Sequence, residues 1–247
     1  MSRSFLHLFI LPFLSAGIFS CDPKDPQRIV DKAIETHGGK KFERVKIEFD
    51  FRGRHYTSTR EEGIYTYTRE FTDSVGRIKD VLSNEGFHRE INGGLAKITE
   101  ERAKAYSNSV NAVIYFALLP FGLNDRAVRK SYVDTTTIKG KSYHLIRITF
   151  DQEGGGKDFE DVFLFWINQE NYQVDYFAYS YETDGGGIRF REAINSRIVG
   201  GILFQDYNNY QPKADSGTLE QMQDLFETNQ LEKLSVIKLE NLEVADI

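Results

Sequence analysis

The sequence predicts a mainly β protein of the α+β class, a curved antiparallel sheet or incomplete β-barrel with helices covering the concave face. Three observations predict it. Alternating segments rich in Tyr and Phe recur about every ten residues, separated by Asp-Ser, Glu-Glu-Gly and Asn-Glu-Gly turn signals, as in an antiparallel meander. Aromatic residues are 13% of the 247, with 19 Phe and 13 Tyr, which favours sheet over helical bundle. One stretch, residues 106–123 (YSNSVNAVIYFALLPFGL), is apolar almost without a break from Val110 through Phe121. A one-faced meander must cover its apolar side, and this stretch is the element available to do so.

Residues 1–20 read as a signal peptide. Arg3 is a lone basic n-region and residues 5–19 (FLHLFILPFLSAGIF) are an apolar h-region too short for a stable membrane span. Ile18-Phe19-Ser20-Cys21 resembles a lipobox, in which Cys21 becomes the acylated first residue. Cys21 is the only cysteine, so neither a structural disulfide nor a metal–thiolate site is expected. Stable anchoring by acylation takes more than one chain. Residues 21–26 (CDPKDP) form the lipidated tether and residues 27–247 a single domain, a size ordinary for β folds. The formal net charge of −6, without any basic run, argues against nucleic acid or an anionic lipid surface as the main partner.

Asp25 is placed to cap a helix that has Pro26 at its first position. Ile29, Val30, Ala33 and Ile34 share one face, and His37-Gly38-Gly39 ends it. His37, in the last turn, reads as a complement to the negative end of the helix dipole. Residues 45–52 are the clearest strand, with Val45, Ile47, Phe49 and Phe51 on one face and Lys46, Glu48, Asp50 and Arg52 on the other. Strands follow at 55–60, 64–71, 75–82 and 86–91.

Asn92-Gly93-Gly94 closes that run. Thr99, followed by Glu100 and Glu101, then caps a helix running through Tyr106 to a break at Pro120. From Val110 to Leu119 it is apolar all round except Asn111, so burial is expected. Ten to twelve apolar residues span only about 15–18 Å, too short to cross a bilayer. Strands resume near Val128 and include 143–150, 161–168, apolar on both faces, and 172–181, its hairpin partner. The glycine triplets at 154–156 and 185–187 are expected at hairpin ends. Strands at 188–199 and 202–207 follow. A helix over 216–229, with Leu219, Met222, Leu225 and Phe226 on one face, and one alternating strand over 234–244 complete the chain.

No catalytic constellation emerges, and the chain is expected not to be an enzyme. His37, His55, His88 and His144 stand isolated, outside any zinc-binding spacing. There is no G-x-S-x-G elbow. Glu61-Glu62, Glu100-Glu101 and Asp158/Glu160/Asp161 read as solvated faces or turns. Neither glycine triplet precedes a helix pattern, which argues against a phosphate cradle. No metal and no cofactor is expected.

Two motifs carry a resemblance: IVDKAIETHGG at 29–39 and FWINQENYQV at 165–174. With the order of elements, they resemble the periplasmic lipoprotein carriers LolA and LolB and the mycobacterial lipid-carrying lipoproteins. More closely, the chain resembles an uncharacterised family of exported bacterial lipoproteins sharing the first motif. The resemblance implies an incomplete barrel with an apolar cavity under its helices, which in the carriers holds acyl chains. The lipobox makes this chain look more like the anchored acceptor. On this reading residues 106–123 cover or fill the cavity, whose candidate lining is Tyr106, Val110, Val113, Ile114, Phe116, Ala117, Leu118, Phe121 and Trp166.

The expected function is that of a lipoprotein anchored through acylated Cys21 in a Gram-negative envelope, at the outer membrane facing the periplasm. It would bind a lipid or other apolar molecule without chemistry. One alternative is a structural or interaction lipoprotein with a filled cavity and another envelope protein as partner; an enzyme on this scaffold is less favoured. A further reading lets residues 118–123 (LLPFGL) dip into the membrane.

Overall fold

The structure, a computed structural model, describes residues 22–153, 159–182, 185–213 and 217–247. The signal segment, Cys21 and the glycines at 154–156 lie outside the described residues. Asp25 caps helix α1 (Pro26–His37) as expected, its carboxylate accepting from the Gln27 N–H at 3.0 Å. Six strands follow: β1 (Arg44–Phe51), β2 (Arg54–Glu61), β3 (Ile64–Asp73), β4 (Gly76–Ser83), β5 (Gly86–Ile91) and the short β6 (Gly94–Leu95). Glu62-Gly63 and Asn92-Gly93 turn with both φ values positive, the geometry that matches the right-handed twist of the flanking strands. Helix α2 (Glu100–Ala117) then leads to β7 (Val128–Ile138), β8 (Lys141–Phe150), β9 (Val162–Asn168), β10 (Val174–Tyr181), β11 (Gly187–Val199) and β12 (Ile202–Pro212).

The strands form two seven-stranded antiparallel sheets, neither closed into a barrel. The first has the order β14-β1-β2-β3-β4-β5-β6 and the second β13-β12-β11-β10-β9-β8-β7, where β13 is Leu231–Ile237 and β14 is Glu240–Ala245. The strand expected over 234–244 is therefore two strands in two sheets. The break falls at Lys238-Leu239. There Asp206 accepts the Leu239 N–H at 3.1 Å and Arg197 donates to the Leu239 carbonyl at 2.7 Å. Hydrogen bonds that a ladder would have taken go to side chains instead, so the chain turns and β14 pairs with β1, Ile47 opposite Val244.

The expected helix over 216–229 is shorter. A 3₁₀ turn at Leu219–Gln221 leads into α3 (Met222–Glu227). This helix covers the outer face of the second sheet, where Met222 packs with Leu164, Trp166 and Phe190. Phe163, Phe165 and Ile167 point the opposite way, toward Ile29, Val30 and Ala33 of α1. That is why β9 is apolar on both faces: it is covered on both.

His37 departs from its expected role. It is 1% exposed, and the Val174 N–H donates to its Nε2 at 3.3 Å. Burial pushes its pKa down to about 4, with the Leu203 backbone pulling weakly the other way. It is thus a neutral acceptor for a strand N–H, with its proton on Nδ1, and not a charge on the helix dipole. Gly38, at φ +142°, follows because the chain must turn against Ile202, whose Cγ1 would lie 3.0 Å from an added Cβ.

The sign of the pH effect follows. The unfolded histidine takes up a proton near pH 6.5, whereas the folded one resists until about pH 4. Stability is complete above that range and falls as the pH drops through it, by about 2 kcal/mol between pH 7 and pH 5. Urea unfolding at the two pH values should show this loss, and His37→Gln should remove most of it. An equal slope in the variant would contradict the assignment.

Candidate functional site

The candidate site lies beside α2. Thr99 Oγ1 accepts the Arg102 N–H at 3.3 Å to start the helix, with Glu100 and Glu101 in its first turn. Leu118 caps the other end, just before Pro120. Val110, Ile114 and Leu118, spaced four apart, bury into the first sheet among Val45, Ile47, Phe49 and Tyr67. On another face Phe116 reaches the second sheet, its ring 6.0 Å from Phe177 and 5.3 Å from Tyr179. The helix is a wedge between the sheets, but it is not buried all round. Asn111 and Ala112 are exposed, and Val113, Tyr115, Phe116 and Ala117 are half-buried. The apolar circumference exceeds what the two sheets cover, and cavities lie on either side.

The first cavity, of about 200 Å³, is floored by Ala112, Val113, Phe116 and Ala117 of α2. Phe51 and Arg52 form one rim, while Ile237 and the crossover residue Leu239 close another side. The second sheet contributes Tyr207 together with Arg191, Gln205 and Asn209. Carbon dominates the lining, with a few polar groups converging from β11 and β12. The second cavity, of about 360 Å³, is more polar. Ile114, Leu118 and Phe121 meet Arg60, Asn111, Tyr115 and Asp125 there. Arg60 is bonded to the Tyr67 hydroxyl and lies 4.8 Å over Phe121. The Tyr115 hydroxyl is buried without a partner, and burial pushes its pKa up.

The nine expected lining residues are distributed unevenly. Val113, Phe116 and Ala117 line the first cavity, and Ile114, Leu118 and Phe121 the second. Val110 is fully buried in the first sheet's core. Tyr106 covers the Arg89 guanidinium at 3.6 Å. Trp166 is not brought to either cavity: it lies on the outer face, donating to Gln223 Oε1 of α3 at 2.9 Å. Strand parity decides this, because Phe165 takes the inward position beside it. Leu118, Leu119 and Leu123 are buried, so the 118–123 segment is core and is not free to dip into a membrane.

Sequence reasoning missed the charged cluster that holds α2. Arg69 and Arg89 both bond Asp80, the shortest contact in each pair being 2.6 Å, and Asp80 is 0% exposed. Arg69 also donates to Ser109 Oγ of α2 at 2.8 Å. The signal was present in β4, where Ile78, Asp80 and Leu82 share the inward face. A carboxylate in that phase requires a cationic partner. Arg191, Gln205 and Asn209 were missed likewise. The histidines do not converge: His55 pairs with Asp50 at 2.8 Å, His88 faces Glu90 at 3.5 Å, and His144 lies beside Tyr132 and Tyr172. Among the described residues no group of three or more His, Cys, Asp or Glu is placed to hold a metal. Among them, too, no helix is long and apolar enough to cross a membrane.

Residues 6–240 match the model of a family of unknown function (DUF6503), and the chain belongs to that family. No curated protein matches it. It is similar to a solved LolA superfamily protein from Nitrosomonas europaea, at 12% identity over 90% of this chain and 94% of that one, with a TM-score of 0.49. A DUF1329 family protein from Desulfovibrio piger is 11% identical over 88% and 92%, with a TM-score of 0.45. Lipoprotein LppX from Mycobacterium tuberculosis is 11% identical over 66% and 91%, with a TM-score of 0.29.

The cluster under α2 yields a stability prediction. Asp80→Asn leaves two buried guanidinium groups facing each other, and should lower the unfolding free energy by about 3–5 kcal/mol. Chemical denaturation with far-UV circular dichroism measures it; a loss under about 1 kcal/mol, the level of an exposed pair, would show that the cluster is not what fixes the helix.

Proposed function

We propose that the protein binds a lipid or other apolar ligand non-covalently in the first cavity and performs no chemistry on it. The observation that carries this reading is the half-exposed apolar face of α2. Val113, Phe116 and Ala117 border a mostly apolar space although protein packs on two other sides of the helix. Sites for small ligands are of this kind, apolar walls with a few convergent polar groups. At about 200 Å³ the cavity is smaller than the roughly 300–1,000 Å³ of drug-sized sites. It suits one short apolar chain, and a diacyl ligand requires α2 to move. The resemblance to carriers that hold acyl chains agrees with this reading.

The same reading places the domain of residues 27–247 in the cell envelope, behind a cleaved signal peptide and the tether at 21–26. Acylated Cys21 anchors it at the outer membrane facing the periplasm. The support is the lipobox-like Ile18-Phe19-Ser20-Cys21 and the single cysteine. A filled-cavity interaction lipoprotein is the competing reading, and the rings around Phe116 favour it by occupying much of the second sheet's inner face.

Titration with the neutral fluorophore N-phenyl-1-naphthylamine distinguishes the two. Saturable binding is expected, and Val113→Phe, which narrows the cavity, should weaken it at least about tenfold, equivalent to about 1.4 kcal/mol. No binding, with no co-purified lipid in native mass spectrometry, leaves the filled-cavity reading standing. For the anchor, Cys21→Ser should abolish palmitate labelling and release the protein from membranes; labelling that persists would refute acylation at this residue.

A further inference from the structure

Arg191 is a buried cation without a counter-ion. It is 8% exposed, and among the described residues no carboxylate pairs with it. Arg69 and Arg89 share Asp80 and Arg197 pairs with Asp206 at 3.1 Å, while Arg60, in the second cavity, is half-buried over Phe121 and bonded to the Tyr67 hydroxyl. Arg191 donates once, from Nη2 to the Tyr179 hydroxyl at 3.0 Å. Its guanidinium also lies over ring faces, with Phe116 at 5.2 Å and Phe177 at 5.8 Å. A ring face attracts a guanidinium but offers no in-plane acceptor to its N–H groups. Its Nε is buried with no partner at all.

The position of this cation is fixed by the ladder. On the second sheet Arg191 lies opposite Phe177 of β10 and opposite Asn209 of β12. Asn209 Oδ1 is also buried and unpartnered, while its Nδ2 bonds Ser235 at 3.3 Å. Both residues line the first cavity, on the side facing Val113 and Phe116 of α2. A desolvated guanidinium with free donors, beside a narrow apolar space, matches a molecule that is apolar along its length and anionic at one end.

We propose that the cavity takes a single-chain amphiphile with an anionic head, carboxylate or phosphate, bound by Arg191 while its chain lies against Val113 and Phe116. This rests on the apolar-ligand reading and names the ligand class. Asn209 supplies an acceptor for a hydroxyl carried beside the anion.

The test compares ligands of one chain length, decanoate, decyl phosphate and 1-decanol, each displacing N-phenyl-1-naphthylamine. At least one anion should bind the wild-type protein about 10- to 100-fold more tightly than decanol, the effect of a charge-assisted hydrogen bond in a desolvated site. Which anion prevails identifies the head. In Arg191→Gln, checked for a cooperative melt, the anion-to-alcohol ratio should fall to near one. Should that variant not fold, the wild-type comparison decides alone. Equal binding of anions and decanol overturns the proposal while leaving the apolar cavity in place; failure of the fluorophore itself to bind overturns both readings.

Discussion

One helix serves two sheets. An α-helix is about 10–12 Å across with its side chains, and α2 must lie against the inner faces of both seven-stranded sheets at once. Val110, Ile114 and Leu118 satisfy the first sheet, and Phe116 reaches the second. The remaining circumference has no protein to meet. Both cavities are what is left when a cylinder separates two open surfaces. The Asp80 cluster secures the helix over the first sheet through Ser109 and Tyr106. Beyond it the chain folds Leu119 and Leu123 into the second sheet's core.

The two sheets are unequal walls. The first has α2 on its inner face and exposed ion pairs on the other, such as Lys46–Glu48 and Arg77–Glu70, which contribute little individually. The second has α1 and Phe116 inside and α3 outside, with Trp166, Phe190 and Phe226 in contact. Arg191 and Asn209 therefore sit on the more thoroughly packed wall, where the geometry of a binding group is best held.

Local periodicity made most of the fold legible. α1, β1 to β5, the start and end of α2 and the β9–β10 hairpin follow from alternation, caps and turn residues that act within a few positions. What escaped reading depends on partners far along the chain. The alternation of residues 234–244 continues through Leu239, and only Asp206 and Arg197 reveal the turn there. His37 looked like a terminal charge because its acceptor role depends on Val174. Trp166 stands on the outer face by the same parity that turns Phe165 and Ile167 inward, a phase that a strand apolar on both faces does not announce. The apolar residues of the cavity came from one visibly greasy helix. Its polar group came from β11, where the alternation marks Arg191 as inward but cannot show that it lacks a carboxylate.

The pairing of β14 with β1 has a bearing on how the domain is completed. Ile47 meets Val244 across nearly the whole sequence, and loop closure on that scale is entropically late. Leu239, one of the cavity walls, leads into this pairing, while Ile237, another wall, ends β13 opposite Tyr207 of β12. The central strands of either sheet can assemble from neighbours in sequence, but the compartment between them has no outer wall until the C-terminal strands arrive. The space beside α2 accordingly has its full set of walls only when β13 and β14 are both in place.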